Sequence, residues 1–143
     1  MICDLSTTDF DELINVWEQS VRATHHFLKE HDLQEIKQQI LSVYFDAVEL
    51  KGFKGDNGKI LGFSGVTEQK LEMLFVLPNA QGQGVGSSLC RHALEQQKVS
   101  LVDVNEQNLR AIKFYKKMGF KKVGRSSLDG EGRPYPVLHL LKE

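Results

Sequence analysis

The chain has 143 residues, a formal net charge of -1, 41% hydrophobic residues and 26% charged ones. That length buries a core without disulfides or a structural metal, and the balance is that of an ordinary globular protein, expected to be a single domain over residues 1–143. A near-neutral charge excludes general nucleic-acid binding, which needs a basic excess, and no apolar run approaches the length of a membrane span. In chain order, Ile2 to Leu5 predicts a short strand, and Ser6-Thr7-Thr8-Asp9 offers caps for a helix with Phe10, Leu13, Ile14, Trp17 and Val21 on one face. A second helix is predicted from about Asp32 to Tyr44, with Leu33, Ile36, Ile40 and Tyr44 in phase. Between the two lies Ala23-Thr24-His25-His26-Phe27-Leu28, too apolar for a simple linker.

From Ala47 the pattern becomes extended. Asp56-Asn57-Gly58 predicts a hairpin joining strands near Val48 to Lys54 and Ile60 to Thr67, with a further strand over Leu71 to Leu77. A helix from Val85 to about Gln97 and a strand over Val99 to Val104 follow. Next come a helix from Gln107 to Met118 stopped by Gly119, and closing strands over Phe120 to Arg125 and Val137 to Leu141. The order β-α-α-β-β-β-α-β-α-β-β fits an α/β (α+β) fold, a mixed and mainly antiparallel sheet with helices on both faces.

The most informative segment lies between the strand that ends at Val76 and the helix that begins at Val85. There Val76-x-Pro78 is followed by Gln81-Gly82-Gln83-Gly84-Val85-Gly86-Ser87. Glycines let a ligand approach the backbone closely, and the free N–H groups of a helix's first turn favour an anion. A phosphate or pyrophosphate is the expected anion, against the alternative of a tight turn with no ligand. A Walker loop needs Lys and then Ser or Thr after the last glycine, where this chain has Ser87-Ser88. A dinucleotide fingerprint counted from Gly82 meets Ser87 where its third glycine belongs.

What remains, Gln81-x-x-Gly84-x-Gly86 after Val76-x-Pro78, resembles the signature loop of the GNAT superfamily, the acetyl-CoA-dependent N-acyltransferases. A second block resembles that family's later motif, N-x-x-A-x-x-F/Y-Y-x-x-x-G-F: Asn108, Ala111, Phe114, Tyr115, Gly119 and Phe120 carry it. The resemblance covers nearly the whole chain. Small bacterial members also share Ala23-Thr24-His25, Val104-Asn105-Glu106-Gln107-Asn108 and Pro134-Tyr135-Pro136. It implies an N-acetyltransferase that moves the acetyl group of acetyl-CoA directly to a primary amine of a small molecule or peptide. It further implies that the backbone of Leu74, Phe75 and Val76 meets the pantetheine arm where neighbouring strands splay, and it is compatible with a homodimer.

Four side chains are candidates for the chemistry. Tyr115 shares a helix face with Asn108, about 10 Å away along the axis, so an extended CoA arm could meet both. A phenol with a pKa of about 10 suits protonation of a leaving thiolate. The pattern alone also fits a core tyrosine; the resemblance favours the acid. For the base, Glu72 is expected on the face of Leu74 and Val76, Asp103 lies on the neighbouring strand, and His25 would titrate at about 6.5. Either carboxylate could instead pair with Lys or Arg, and His25 could be a capping residue.

No metal is expected, because His25, His26, His31, His92 and His139 show no ligand spacing with Cys3 or Cys90. Those two cysteines read as reduced thiols, and the acidic N-terminus without an apolar stretch predicts no signal peptide, hence the cytoplasm. Lys113, Lys116, Lys117, Lys121 and Lys122 read as a solvated face. Two rivals remain open: a CoA-binding sensor or interaction module without turnover, and a Rossmann-like nucleotide unit with Asp103 past the loop.

Overall fold

The first helix, α1 (Phe10–Thr24), buries Leu13, Ile14, Trp17 and Val21 along one face in a computed structural model that describes residues 1–143. It follows the short strand β1 (Ile2–Asp4), and the Asp9 carboxylate accepts from the Ser6 N–H at 2.9 Å to fix the entry turn. The second helix, α2 (Glu30–Gln39), begins earlier than the spacing predicts. It runs through a wide π turn (Ile40–Tyr44) into the short α3 (Phe45–Ala47). A π turn carries an extra residue, so the buried phase slips by one. Phe45 enters the core at 1% exposure, while Tyr44 stays at the surface side and bonds Glu131.

Strands β2 (Glu49–Lys54), β3 (Ile60–Thr67) and β4 (Lys70–Val76) form an antiparallel meander. The first hairpin turns where predicted. Gly58 takes a φ of +79°, and the Asn57 side chain accepts from the Lys59 N–H at 3.0 Å. Then come α4 (Val85–Glu95), β5 (Leu101–Asn105), α5 (Leu109–Lys117), β6 (Lys121–Ser126) and β7 (Val137–Leu141). The seven strands lie in the order β1-β2-β3-β4-β5-β7-β6, and β4–β5 is the parallel pair among antiparallel ones. This is the mixed, mainly antiparallel sheet the element order predicts, and a parallel dinucleotide-binding sheet is excluded.

Both faces of the middle are covered, as the unbroken burial of Gly62 to Val66 requires. Phe63 packs edge-on against Phe45, on the side of α1 to α3, with ring centroids 5.8 Å apart. Gly62 points the other way, where a Cβ would come within 2.9 Å of Val85 in α4. β4 and β5 pair only at Lys70–Leu101 and Leu71–Val102 and then part, which leaves the rest of β4 without a strand on that side.

Candidate active site

The parting strands line a cavity of about 550 Å³. Its walls are the free side of β4 from Leu71 to Val76, the end of β5 from Val102 to Asn105, the glycine loop, the first turns of α5, and Ser20, Thr24 and His25 at the end of α1. Of the residues singled out from sequence, all but Gln83 line it. Gln83 turns outward, and its side chain donates to the Asn79 carbonyl at 3.2 Å. Gln81 stays at the wall and reaches back to the Val76 carbonyl at 3.4 Å, so that carbonyl already has a partner.

The loop leaves a run of backbone N–H groups without partners. Gly82 and Gly84 hold φ values of +79° and +81°, and a Cβ at either would point into open space. No hydrogen bond within the chain uses the N–H of any residue from Gly82 to Ser87, while Ser88 returns to the Gly84 carbonyl at 2.9 Å. Consecutive free N–H groups at a helix start, with the dipole behind them, fit the oxygens of a pyrophosphate. Gly86 differs from expectation. It has no unusual φ, and a Cβ there would lie 3.6 Å from Val76, an ordinary contact. Its place is set by the packing of α4 on β4.

Tyr115 is 7% exposed, its ring held edge-on by Phe114 and Phe120 at 5.2 and 5.6 Å. Tyr115 is among the residues that line the cavity, and its hydroxyl takes part in none of the hydrogen bonds of the structure. Burial, with Cys90 close by, pushes the phenol well above its usual range, so it keeps its proton at any ordinary pH. Asn108 caps α5: its carbonyl oxygen accepts from the Ala111 N–H at 3.2 Å. His25, the residue after α1, lies between Thr24 and Asn108. Burial and the neighbouring His26 push its imidazole down to about 4, well below the 6.5 expected from sequence.

The two carboxylates come together, though not as the alternation of β4 predicts. Gly65 pairs with Met73 but Val66 pairs with Leu71, so Glu72 is the extra residue of a β-bulge. The bulge separates Glu72 from Leu74 and Val76 and sets it beside Lys70, whose ammonium lies 3.7 Å from its Oε1. Thr67 donates to its Oε2 at 2.5 Å. Asp103 has both oxygens engaged, by Lys70 at 2.7 Å and by His139 Nδ1 at 2.7 Å. Burial alone would raise the Asp103 carboxyl, but these two partners outweigh it and hold the group below its usual range. His139 Nε2 meets the Ser126 hydroxyl at 2.7 Å.

Sequence reasoning missed Lys70, His139, Thr24 and Arg110. Arg110 lines the cavity two residues after the α5 cap and has no carboxylate partner. Its signal, a cation in the first turn where the helix dipole disfavours one, was legible. Lys70 and His139 could not be found so, because strand pairing brings them to Asp103. No group of His, Cys, Asp and Glu is arranged to hold a metal, and no helix is long and apolar enough to cross a membrane.

A sheet parted beside a glycine-rich helix start, with Tyr115 buried in the same lining, is the arrangement within the segment that the family model for the acetyltransferase (GNAT) domain matches, residues 50–122. The chain belongs to the GNAT family and is an N-acetyltransferase that transfers an acetyl group to an amine. It is 40% identical over 131 residues to the peptidyl-lysine N-acetyltransferase YjaB of Salmonella typhimurium, covering 92% of this chain and 90% of that protein. It is 26% identical over 147 residues to the peptidyl-lysine N-acetyltransferase YiaC of Escherichia coli, covering 99% of this chain and all of that one. The solution structure of apo YjaB from Escherichia coli superposes with a TM-score of 0.90 at 36% identity, over 99% of this chain and 95% of that one. PaiA N-acetyltransferase from Thermoplasma acidophilum, in complex with coenzyme A, shares the fold with a TM-score of 0.74 at 19% identity, over 97% and 96% of the two chains.

Proposed function

We propose that the chain acetylates lysine side chains of proteins or peptides, with acetyl-CoA as cosubstrate. The observation that carries the reading is one continuous cleft, from the unpartnered N–H run at Gly82 to Ser87 to the free hydroxyl of Tyr115. The peptidyl-lysine activity named for YjaB and YiaC supports the acceptor class, and the coenzyme A held by PaiA supports the cosubstrate. Two free cysteines with no disulfide suit the cytoplasm, and one sheet running through the whole chain suits a single domain.

When bound, the cosubstrate supplies an acetyl thioester as the group to be attacked. In this reading the loop N–H groups bind its pyrophosphate, and Arg110 adds a cation to the same wall. The edge of β4 at Leu74 and Phe75 offers backbone groups to the arm, since no strand pairs with it there. Tyr115 holds a proton at its hydroxyl for the departing sulfur. Glu72 Oε1 is the freer carboxylate oxygen and accepts the proton of the amine, directly or through water. Asp103, with both oxygens engaged, orients Lys70 and His139 instead.

The test is CoA release with acetyl-CoA and a panel of lysine peptides, each matched by its lysine-to-arginine version. Release confined to the lysine peptides, with the acetyl mass on Nζ, is the expected result. Turnover of small amines with none of any lysine peptide would move the acceptor class to small molecules.

A further inference from the structure

A line of hydrogen bonds runs through residues that line the cleft, and each link fixes the direction of the next. The Thr24 hydroxyl donates its single proton to the Ser20 carbonyl at 2.8 Å. His25 Nδ1 lies 2.7 Å from the same hydroxyl oxygen, so Nδ1 must carry the hydrogen of that bond. Nε2 is then the bare nitrogen of a neutral ring. Facing it, Asn108 has its carbonyl oxygen committed to the Ala111 N–H at 3.2 Å, which turns the amide nitrogen, a donor, toward Nε2 at 3.5 Å. Every bond therefore points one way, from the Ala111 N–H through Asn108, His25 and Thr24 to the Ser20 carbonyl. Bonds aligned in this sense reinforce one another.

The line joins residues 83 positions apart and ties the end of α1 to the start of α5, one from each wall of the cleft. We propose that His25 is a positioning residue for acetyl transfer: its Nε2 holds the Asn108 amide at the cleft wall, and it does not take the proton of the acceptor amine. The role rests on the reading that Asn108 faces the arm of the cosubstrate. A proton added at Nε2 would confront the Asn108 donor and break the line. The groups around the ring are Thr24, Phe27 at 5.3 Å, Asn108 and the neighbouring His26, which adds to the resistance to protonation.

Nitrogen NMR of the intact protein reads the ring directly. The expected result is an Nδ1-protonated, Nε2-bare His25 that is unchanged as the pH falls from about 8 to about 5.5, a window that spans the ordinary imidazole pKa. An Nε2-protonated ring, or a titration midpoint near 6.5, overturns the proposal. Asn108→Asp keeps the oxygen that caps α5 but replaces the donor at Nε2 with an acceptor, so His25 is expected to become a cation at neutral pH. An unchanged His25 titration in that variant means the two side chains do not communicate, and also overturns it.

Calorimetry with acetyl-CoA supplies the functional arm. His25→Ala and Asn108→Ala should each weaken binding several-fold, and the double variant should lose little more than either alone. His25→Gln, whose amide oxygen can stand in for Nε2 as the acceptor, should recover most of the loss in binding. Fully additive losses overturn the proposal. Wild-type protein that binds no acetyl-CoA would instead overturn the cosubstrate reading, and the two NMR results would still decide the role of His25.

Discussion

Tyr115 shows how one side chain can be both core and chemistry. Its ring belongs to the cluster around Cys90, Val102 and Phe120, yet its hydroxyl is left without a partner at the cavity wall. Tyr115→Phe keeps the ring and removes only the oxygen. If the hydroxyl acts mainly as the sulfur leaves, kcat should fall by about 10²- to 10⁴-fold while acetyl-CoA affinity measured by calorimetry hardly moves. Equal losses in both would make the residue a packing element. Gly84 carries a different kind of constraint, since its φ of +81° lies in the left-handed region that a side chain strains, at the start of the run of free N–H groups. Gly84→Ala should weaken acetyl-CoA binding by at least tenfold and cost about 1 kcal/mol of stability from backbone strain. Gly86→Ala, with its Cβ in ordinary contact with Val76, should do much less in the same titration.

At the scale of elements, the segment between β6 and β7 is anchored to α2 by Arg133. That guanidinium is 9% exposed and meets Asp32, Glu35, Gln39 and Asp129. Tyr135 adds a bond to Asp32 at 2.5 Å. Arg133→Ala leaves these carboxylates facing one another and should lower stability by about 2 kcal/mol in urea unfolding. Amide exchange should quicken from Leu128 to Tyr135 before it does in β7. The elements themselves were largely legible, because periodicity and turn chemistry are local properties: the face of α1 and the Gly58 turn read directly, whereas Asn108, read as part of the helix, is its cap. The π turn at Ile40–Tyr44 and the bulge at Glu72 were not. Each inserts one residue into a regular repeat, and a repeat read from sequence assumes that no residue is inserted. The glycine loop was legible as a tight strand-to-helix turn, with left-handed backbone at Gly82 and Gly84, whereas the partners of Asp103 depend on pairing between strands distant in sequence. The state of His25 depends on burial, which spacing does not reveal.

For the whole molecule, acid sensitivity should come in two stages. His25 has a folded pKa of about 4, below the roughly 6.5 of an unfolded chain. Below pH 6.5 the unfolded state therefore takes up a proton that the folded state refuses, and stability falls as the pH drops from about 6.5 to 4. Asp103 behaves differently. Its folded carboxyl lies below the unfolded value, so the stability it adds is present above about pH 4 and is lost as the pH falls further. Urea unfolding against pH should show both stages in the wild type. His25→Gln should flatten the upper stage and leave the lower one; an unchanged upper stage would remove His25 as its cause.

The parting of β4 and β5 has a consequence for the lifetime of the protein. Only two residue pairs knit the meander of β1 to β4 to the strands beyond it, so the sheet at rest is two leaves on a short spine. If the cleft holds acetyl-CoA as proposed, a ligand lying along the free edge of β4 supplies the rungs the sheet lacks. Saturating it at a hundred times its dissociation constant would add about 2.7 kcal/mol to the folded state. Occupancy would then decide how often the leaves open far enough for a protease to cut between them. On that reading an acetyltransferase built this way would be durable when its acetyl donor is plentiful and short-lived when the donor is scarce, and donor supply would set its abundance as well as its rate.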